Sequence, residues 1–136
     1  MSEHLGRRGV PHLVLERHRI AERWRSERWD SLVANGPAWH DRFPNMEFDG
    51  LDPFSFAPKE RITAYFEAYA KKIGAPMRCG VEVTRAERAG DGFRVETSQG
   101  VIRCRNLVAA TGPFQKPLIP QVVPEALGIV QMHSTA

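Results

Sequence analysis

The segment VPHLVLERHR, residues 10–19, holds a short apolar run that ends in a single acid, Glu16, with basic residues directly behind it. Leu13, Val14 and Leu15 are too continuous for a half-exposed edge and suit a sheet covered on both faces. In a doubly wound nucleotide-binding unit, the acid at the end of such a strand accepts hydrogen bonds from a ribose hydroxyl. That acid ordinarily follows a Gly-rich phosphate loop by about 20 residues. Only fifteen residues precede Glu16, and Gly6 and Gly9 have the wrong spacing for the loop.

Upstream, residues 2–9 read as the tail of a helix. Arg7 and Arg8 suit the negative end of its dipole, and Gly9 suits a left-handed closing residue. Downstream, residues 17–58 form a long aromatic and Pro-rich loop that carries all three tryptophans and Phe43, Phe48, Phe54 and Phe56. A loop this long is functional or disordered, and its aromatic content argues against disorder. Residues 59–73 predict a helix, because Ile62, Phe66, Tyr69 and Ile73 recur as one stripe. Pro58 suits its first turn, Lys71 and Lys72 its last, and Gly74 its end. Residues 78–112 then predict a β-meander and a last buried strand: Val81 and Val83 alternate with polar residues, as do Phe93, Val95 and Thr97, with turns at AGDG and SQG. The strand from Val101 to Thr111 ends in the apolar run NLVAATG. Residues 113–124 are a Pro-rich exit. The whole chain, residues 1–136, reads as part of one α/β domain with the meander as a crossover.

The totals fit this reading. A chain of 136 residues with 42% hydrophobic and 26% charged residues is ordinary for a globular protein. The net charge of +3 is compatible with an anionic cofactor or with nucleic acid and proves neither. No apolar run approaches the ~18 residues needed to span a membrane, and the N-terminus lacks the apolar core of a signal peptide; the expectation is a cytoplasmic protein. Cys79 and Cys104 fall in strand-like segments and read as structural thiols. The histidines show no metal-ligand spacing. His40 and Asp41 could form a base and its orienting acid, but adjacent residues rarely face each other, so the pair is set aside.

Three features together, Glu16 after its strand, WRSERWDSL at residues 24–32 and ATGPFQKPLIP at residues 110–120, resemble the flavin-containing monooxygenase superfamily, its bacterial and Baeyer–Villiger-like members above all. The resemblance implies a partial FAD/NAD(P)-binding Rossmann-like domain whose first strand and Gly-rich loop are missing. It implies that Glu16 binds the adenosine ribose of FAD with Arg17 beside it, and that Trp24 and Arg25 lie over the flavin and pyrophosphate. It also implies that Val83 meets the adenine and that Thr111 and Gly112 let the backbone pass close to the cofactor. Asn35 would sit near the reactive edge as the one catalytic candidate, and His133 and Ser134 resemble the start of a later family segment.

The resemblance further implies NADPH as reductant and a small organic molecule as substrate. Read as a form truncated at both ends, the chain is expected to bind FAD weakly or not at all and to self-associate through exposed sheet edges. Two other readings stand beside this one. The first is a non-catalytic remnant that binds a nucleotide or a partner. The second is a basic interaction domain, for which ERWRSERW at residues 22–29 mixes arginine with aromatics; its acids Glu22, Glu27 and Asp30 interrupt the positive field, so no nucleic-acid partner is expected.

Overall fold

The computed structural model of the chain describes residues 1–112, 118–120, 122, 124 and 127–133. Its elements run α1 (Ser2–Arg7), β1 (Val14–Glu16), α2 (Glu22–Ser26), α3 (Ala38–Asp41), α4 (Lys59–Lys72), β2 (Met77–Cys79), β3 (Val83–Ala89), β4 (Gly92–Thr97) and β5 (Gly100–Cys104). The expected helix ends are present: Gly9 follows α1 and Gly74 follows α4, both left-handed, with φ of 64° and 57°.

Helix α4 organises the rest. Ile62, Tyr65 and Tyr69 are buried on it, and Phe66 packs against the small core made by Ala34, Ala57 and Ile62. The long aromatic loop wraps this helix. Trp24 on α2 meets Phe66 edge-on at 6.2 Å, Phe43 stacks on Phe66 at 5.4 Å, and Phe48 stacks on Tyr65 at 4.0 Å. The Tyr65 hydroxyl ties the wrap down. It accepts the Phe43 N–H and donates to the Met46 carbonyl, both at 2.7 Å. Within the loop, residues 32–39 zip antiparallel to residues 53–59. Ala34 N–H donates to Ala57 O, Ala38 N–H to Ser55 O, Trp39 N–H to Pro53 O and Lys59 N–H to Leu32 O.

The strands form two sheets. β1 and β2 pair in parallel, Val14 opposite Met77 and Glu16 opposite Cys79. β3, β4 and β5 make the expected antiparallel meander. One face of the meander carries Arg85, Glu87, Arg94, Glu96 and Arg103; the other carries Ala86, Val95, Ile102, Phe93 and Cys104. Both cysteines sit in strands as free thiols, and Cys79 is exposed.

Two expectations are corrected. The last strand stops at Cys104, and residues 106–112 are irregular and exposed, Leu107 and Val108 included. An apolar run becomes a strand only when a neighbour takes up its N–H and C=O groups, and no strand pairs with this run among the described residues. For the same reason β1 is not covered on both faces: its residues are half-buried, and Leu13 is 40% exposed. Of the Pro-rich exit, residues 113–117, 121 and 123 lie outside the described residues, as does Ser134. Among the described residues, no helix is long and apolar enough to cross a membrane.

Removing the Tyr65 hydroxyl strands a donor and an acceptor at once. Tyr65→Phe is expected to cost about 1–3 kcal/mol, read as a lower denaturation midpoint. Burial also holds the Tyr65 phenol above its ordinary range, so folding favours the neutral form. Its contribution is complete below about pH 10 and is lost as pH climbs through the raised folded value. The gap between wild type and Tyr65→Phe should narrow there.

Candidate functional site

The sequence-expected residues fall into four places, the last being the segment that holds Thr111 and Gly112. The first is the end of β1. Val81 N–H donates to the Glu16 carbonyl at 3.0 Å, and Gly80 N–H donates to the His18 carbonyl at 3.1 Å. The chain after β2 is thereby drawn across the acid. The Glu16 carboxylate accepts the His18 N–H at 2.9 Å, which fixes it at the strand end. Arg17 is exposed, and its guanidinium lies 4.0 Å from Glu82. Val83, the expected adenine contact, is in β3 opposite Thr97. The residue brought against Glu16 is Val81, 3% exposed. The three-residue β2 carries too little periodicity to announce that pairing.

The second place is the junction of α2 with α4. Trp24 and Arg25 come together there, beside Lys59, Glu60, Thr63, Ala64 and Glu67, around an open depression of about 220 Å³. Arg25 Nη2 pairs with Glu67 at 2.6 Å, whereas Arg25 Nε is buried without a hydrogen-bond partner. Arg28 lies over the Trp24 ring at 5.9 Å. Lys59, 9% exposed, was not anticipated. It reaches Asp30 Oδ1 at 2.7 Å, and that ammonium holds the Asp30 carboxyl below its usual range. A cation with its aliphatic stem covered and its head on a carboxylate pins the turn at residues 28–32 to the start of α4.

The third place is the turn after Val33, where Asn35 is exposed. Its neighbour Gly36 donates its N–H to Asp41 Oδ2 at 3.0 Å, and Asp41 Oδ1 meets His40 Nδ1 at 2.8 Å. Adjacent residues therefore do face each other here, against the expectation, because the single turn of α3 folds both side chains back over Gly36. A Cβ on Gly36 would collide with Asp41 Oδ1 and lie 2.9 Å from His40 Nδ1, so a larger residue there requires these two side-chain ends to shift. Thr111 and Gly112 are exposed in the irregular segment after β5. Among the described residues, no group of three or more His, Cys, Asp or Glu could hold a metal ion.

Comparison with known proteins bears on what these places hold. A family model described as pyridine nucleotide-disulphide oxidoreductase matches residues 1–136. The chain is 37% identical over 125 residues to an uncharacterized CzcO-like oxidoreductase of Geobacillus kaustophilus, covering 90% of this chain and 35% of that protein. It is 36% identical over 120 residues to the indole-3-pyruvate monooxygenase YUCCA1 of Oryza sativa subsp. japonica, covering 85% and 29%. Its fold is similar to a flavin-containing monooxygenase from Stenotrophomonas maltophilia, with a TM-score of 0.75, 23% identity and coverage of 88% and 37%. It is also similar to OTEMO in complex with FAD and NADP, with a TM-score of 0.67, 20% identity and coverage of 89% and 24%. The chain thus spans about a third of the length of the relatives it matches.

The Gly36 knot makes a prediction of its own. Gly36→Ala must push the Asp41 carboxylate toward solvent and weaken its bonds, at a cost of no more than about 1 kcal/mol. In an Asp41→Ala background the same change should cost less, and a double-mutant cycle in chemical denaturation reads the difference.

Proposed function

Because the chain belongs to the pyridine nucleotide-disulphide oxidoreductase family and its relatives include flavin-containing monooxygenases, we propose that it is the FAD-holding part of an FAD-dependent, NADPH-using oxidoreductase of the flavoprotein monooxygenase type, acting on a small organic substrate. The observation that carries this reading is Arg25, whose buried Nε lacks a protein partner on the rim of an open depression. A guanidinium N–H left over in this way suits a phosphate oxygen. Glu16 fits the ribose in the same sense: it is a half-buried carboxylate fixed at the end of a parallel strand, with one oxygen engaged by the His18 N–H.

In this reading Glu16 accepts from the ribose hydroxyls and Arg17 flanks the adenosine. The backbone from Val81 to Val83 borders the adenine. Trp24 lies against the flavin, and Arg25 neutralises the pyrophosphate. Thr111 and Gly112 let the chain pass close to the cofactor, and Asn35 stands at the reactive edge. FAD supplies the two-electron and oxygen chemistry that no side chain carries. The protein's residues hold, orient and shield it. Residues 1–136 contain no Gly-rich loop, so the pyrophosphate gains no row of backbone amides from this chain, and FAD affinity is expected to be weak.

Ion pairing supports the absence of a nucleic-acid partner. Arg23 pairs with Glu27 and Arg28 lies over the Trp24 ring, so these arginines of the aromatic stretch are already engaged within the protein. The exposed Val10, Leu13, Leu107 and Val108 support self-association.

Two measurements test these readings. FAD titration followed by flavin fluorescence should give weak binding to the wild-type chain, weakened a further tenfold or so by Glu16→Gln or Arg25→Ala. Equal affinity in wild type and both variants would overturn the assignment. Size-exclusion chromatography should show a species larger than the monomer at high concentration, and a clean monomer peak refutes self-association.

A further inference from the structure

The knot of Gly36, His40 and Asp41 has the form of an oriented base. A carboxylate oxygen only accepts, so at the 2.8 Å contact with Asp41 Oδ1 it is His40 Nδ1 that carries the hydrogen. The neutral ring then keeps its lone pair on Nε2. Asp41 cannot swing away freely, since its second oxygen is held by the Gly36 N–H at 3.0 Å. The His40 side chain is 66% exposed and that of Asp41 31%, so the base opens outward while its orienting acid is largely covered. Nε2 has no protein partner among the described residues. Trp39 stands beside the imidazole, the two rings perpendicular with centroids 5.7 Å apart and the residue 51% exposed. The Trp39 backbone is anchored by its N–H to Pro53 O at 2.9 Å. One flat apolar wall and one fixed acceptor thus meet at a corner open to solvent.

We propose that Trp39, His40 and Asp41 form a proton-accepting site for a flat aromatic molecule bearing an acidic O–H or N–H, of which phenol is a simple example. The ring of the ligand lies on the indole, and its polar hydrogen points at His40 Nε2. On transfer the O–H bond breaks and an Nε2–H bond forms; the electron pair stays on the ligand oxygen, and the Asp41 carboxylate balances the imidazolium charge. Nothing is oxidised or reduced. The site uses protein groups alone, so its test is separate from that of the FAD reading.

The test uses the isotopically labelled chain without flavin. Nitrogen NMR of wild type should show His40 protonated at Nδ1 and bare at Nε2. Asp41→Asn should remove that preference and slow carbethoxylation of His40 by diethyl pyrocarbonate at least about tenfold. Phenol added to wild type should shift the Trp39 and His40 signals together, and Trp39→Ala should abolish the His40 shift. A wild-type ring protonated at Nε2 overturns the proposal, as does carbethoxylation that Asp41→Asn leaves unchanged or a phenol titration that moves neither residue. Should Asp41→Asn fail to fold, judged by circular dichroism, the wild-type ring state and the Trp39→Ala titration decide the matter.

Discussion

The aromatic loop from Trp24 to Ala57 is arranged by the burial of one face of α4. The helix brings Ile62, Tyr65, Phe66 and Tyr69 to a single side, and the aromatic loop closes on it through Trp24, Phe43 and Phe48. Both functional neighbourhoods inherit their positions from that contact. The depression around Arg25 is bounded by α4 itself. The Gly36 knot hangs from the zipped segment whose far side runs through Ala57 directly into the start of α4. Tyr65 joins the two levels, because its hydroxyl satisfies a loop donor and a loop acceptor that burial would otherwise leave unpaired.

Charge is distributed in a way that the bare total of +3 conceals. On the meander, Arg94 lies between Glu87 and Glu96, and Arg85 also reaches Glu87. Around α2 the arginines are matched pairwise with glutamates. Among the described residues the buried Glu3 Oε2, Tyr69 hydroxyl and Arg25 Nε lack a hydrogen-bond partner, and Arg25 is the one whose residue lines the depression between α2 and α4. A buried donor without a partner costs free energy, so its retention is a physical reason to look for an external acceptor at that spot.

The parts legible in the sequence are those whose signal is local. The stripe of α4 is legible from spacing, although a trace through Phe66 leaves out Tyr65, which lies three residues after Ile62 and four before Tyr69 and is buried. The meander was read from alternation and its turns. The parts that failed depend on partners distant in the chain. β2 is three residues long and exists because β1 lies beside it. Hydrophobicity alone marks the run before Thr111 as a strand, but it cannot say whether a ladder partner is at hand. Nothing local marks Val81 as the residue whose N–H closes on the Glu16 carbonyl. The His40–Asp41 contact runs against a rule about neighbours in sequence, and the Gly36 N–H on the second Asp41 oxygen helps to hold it.

The parallel pairing of β1 with β2 has a consequence for how the chain reaches this arrangement. Its two partners are separated by some sixty residues, so joining them closes a long loop for the sake of a few ladder bonds. The meander and α4 need only local closure. Hairpins and the helix should therefore form early, and the Glu16 corner should assemble last and open first. A nucleotide seated at that corner would act as a clasp on the slowest and weakest closure of the fold, tying cofactor capture to the final step of folding.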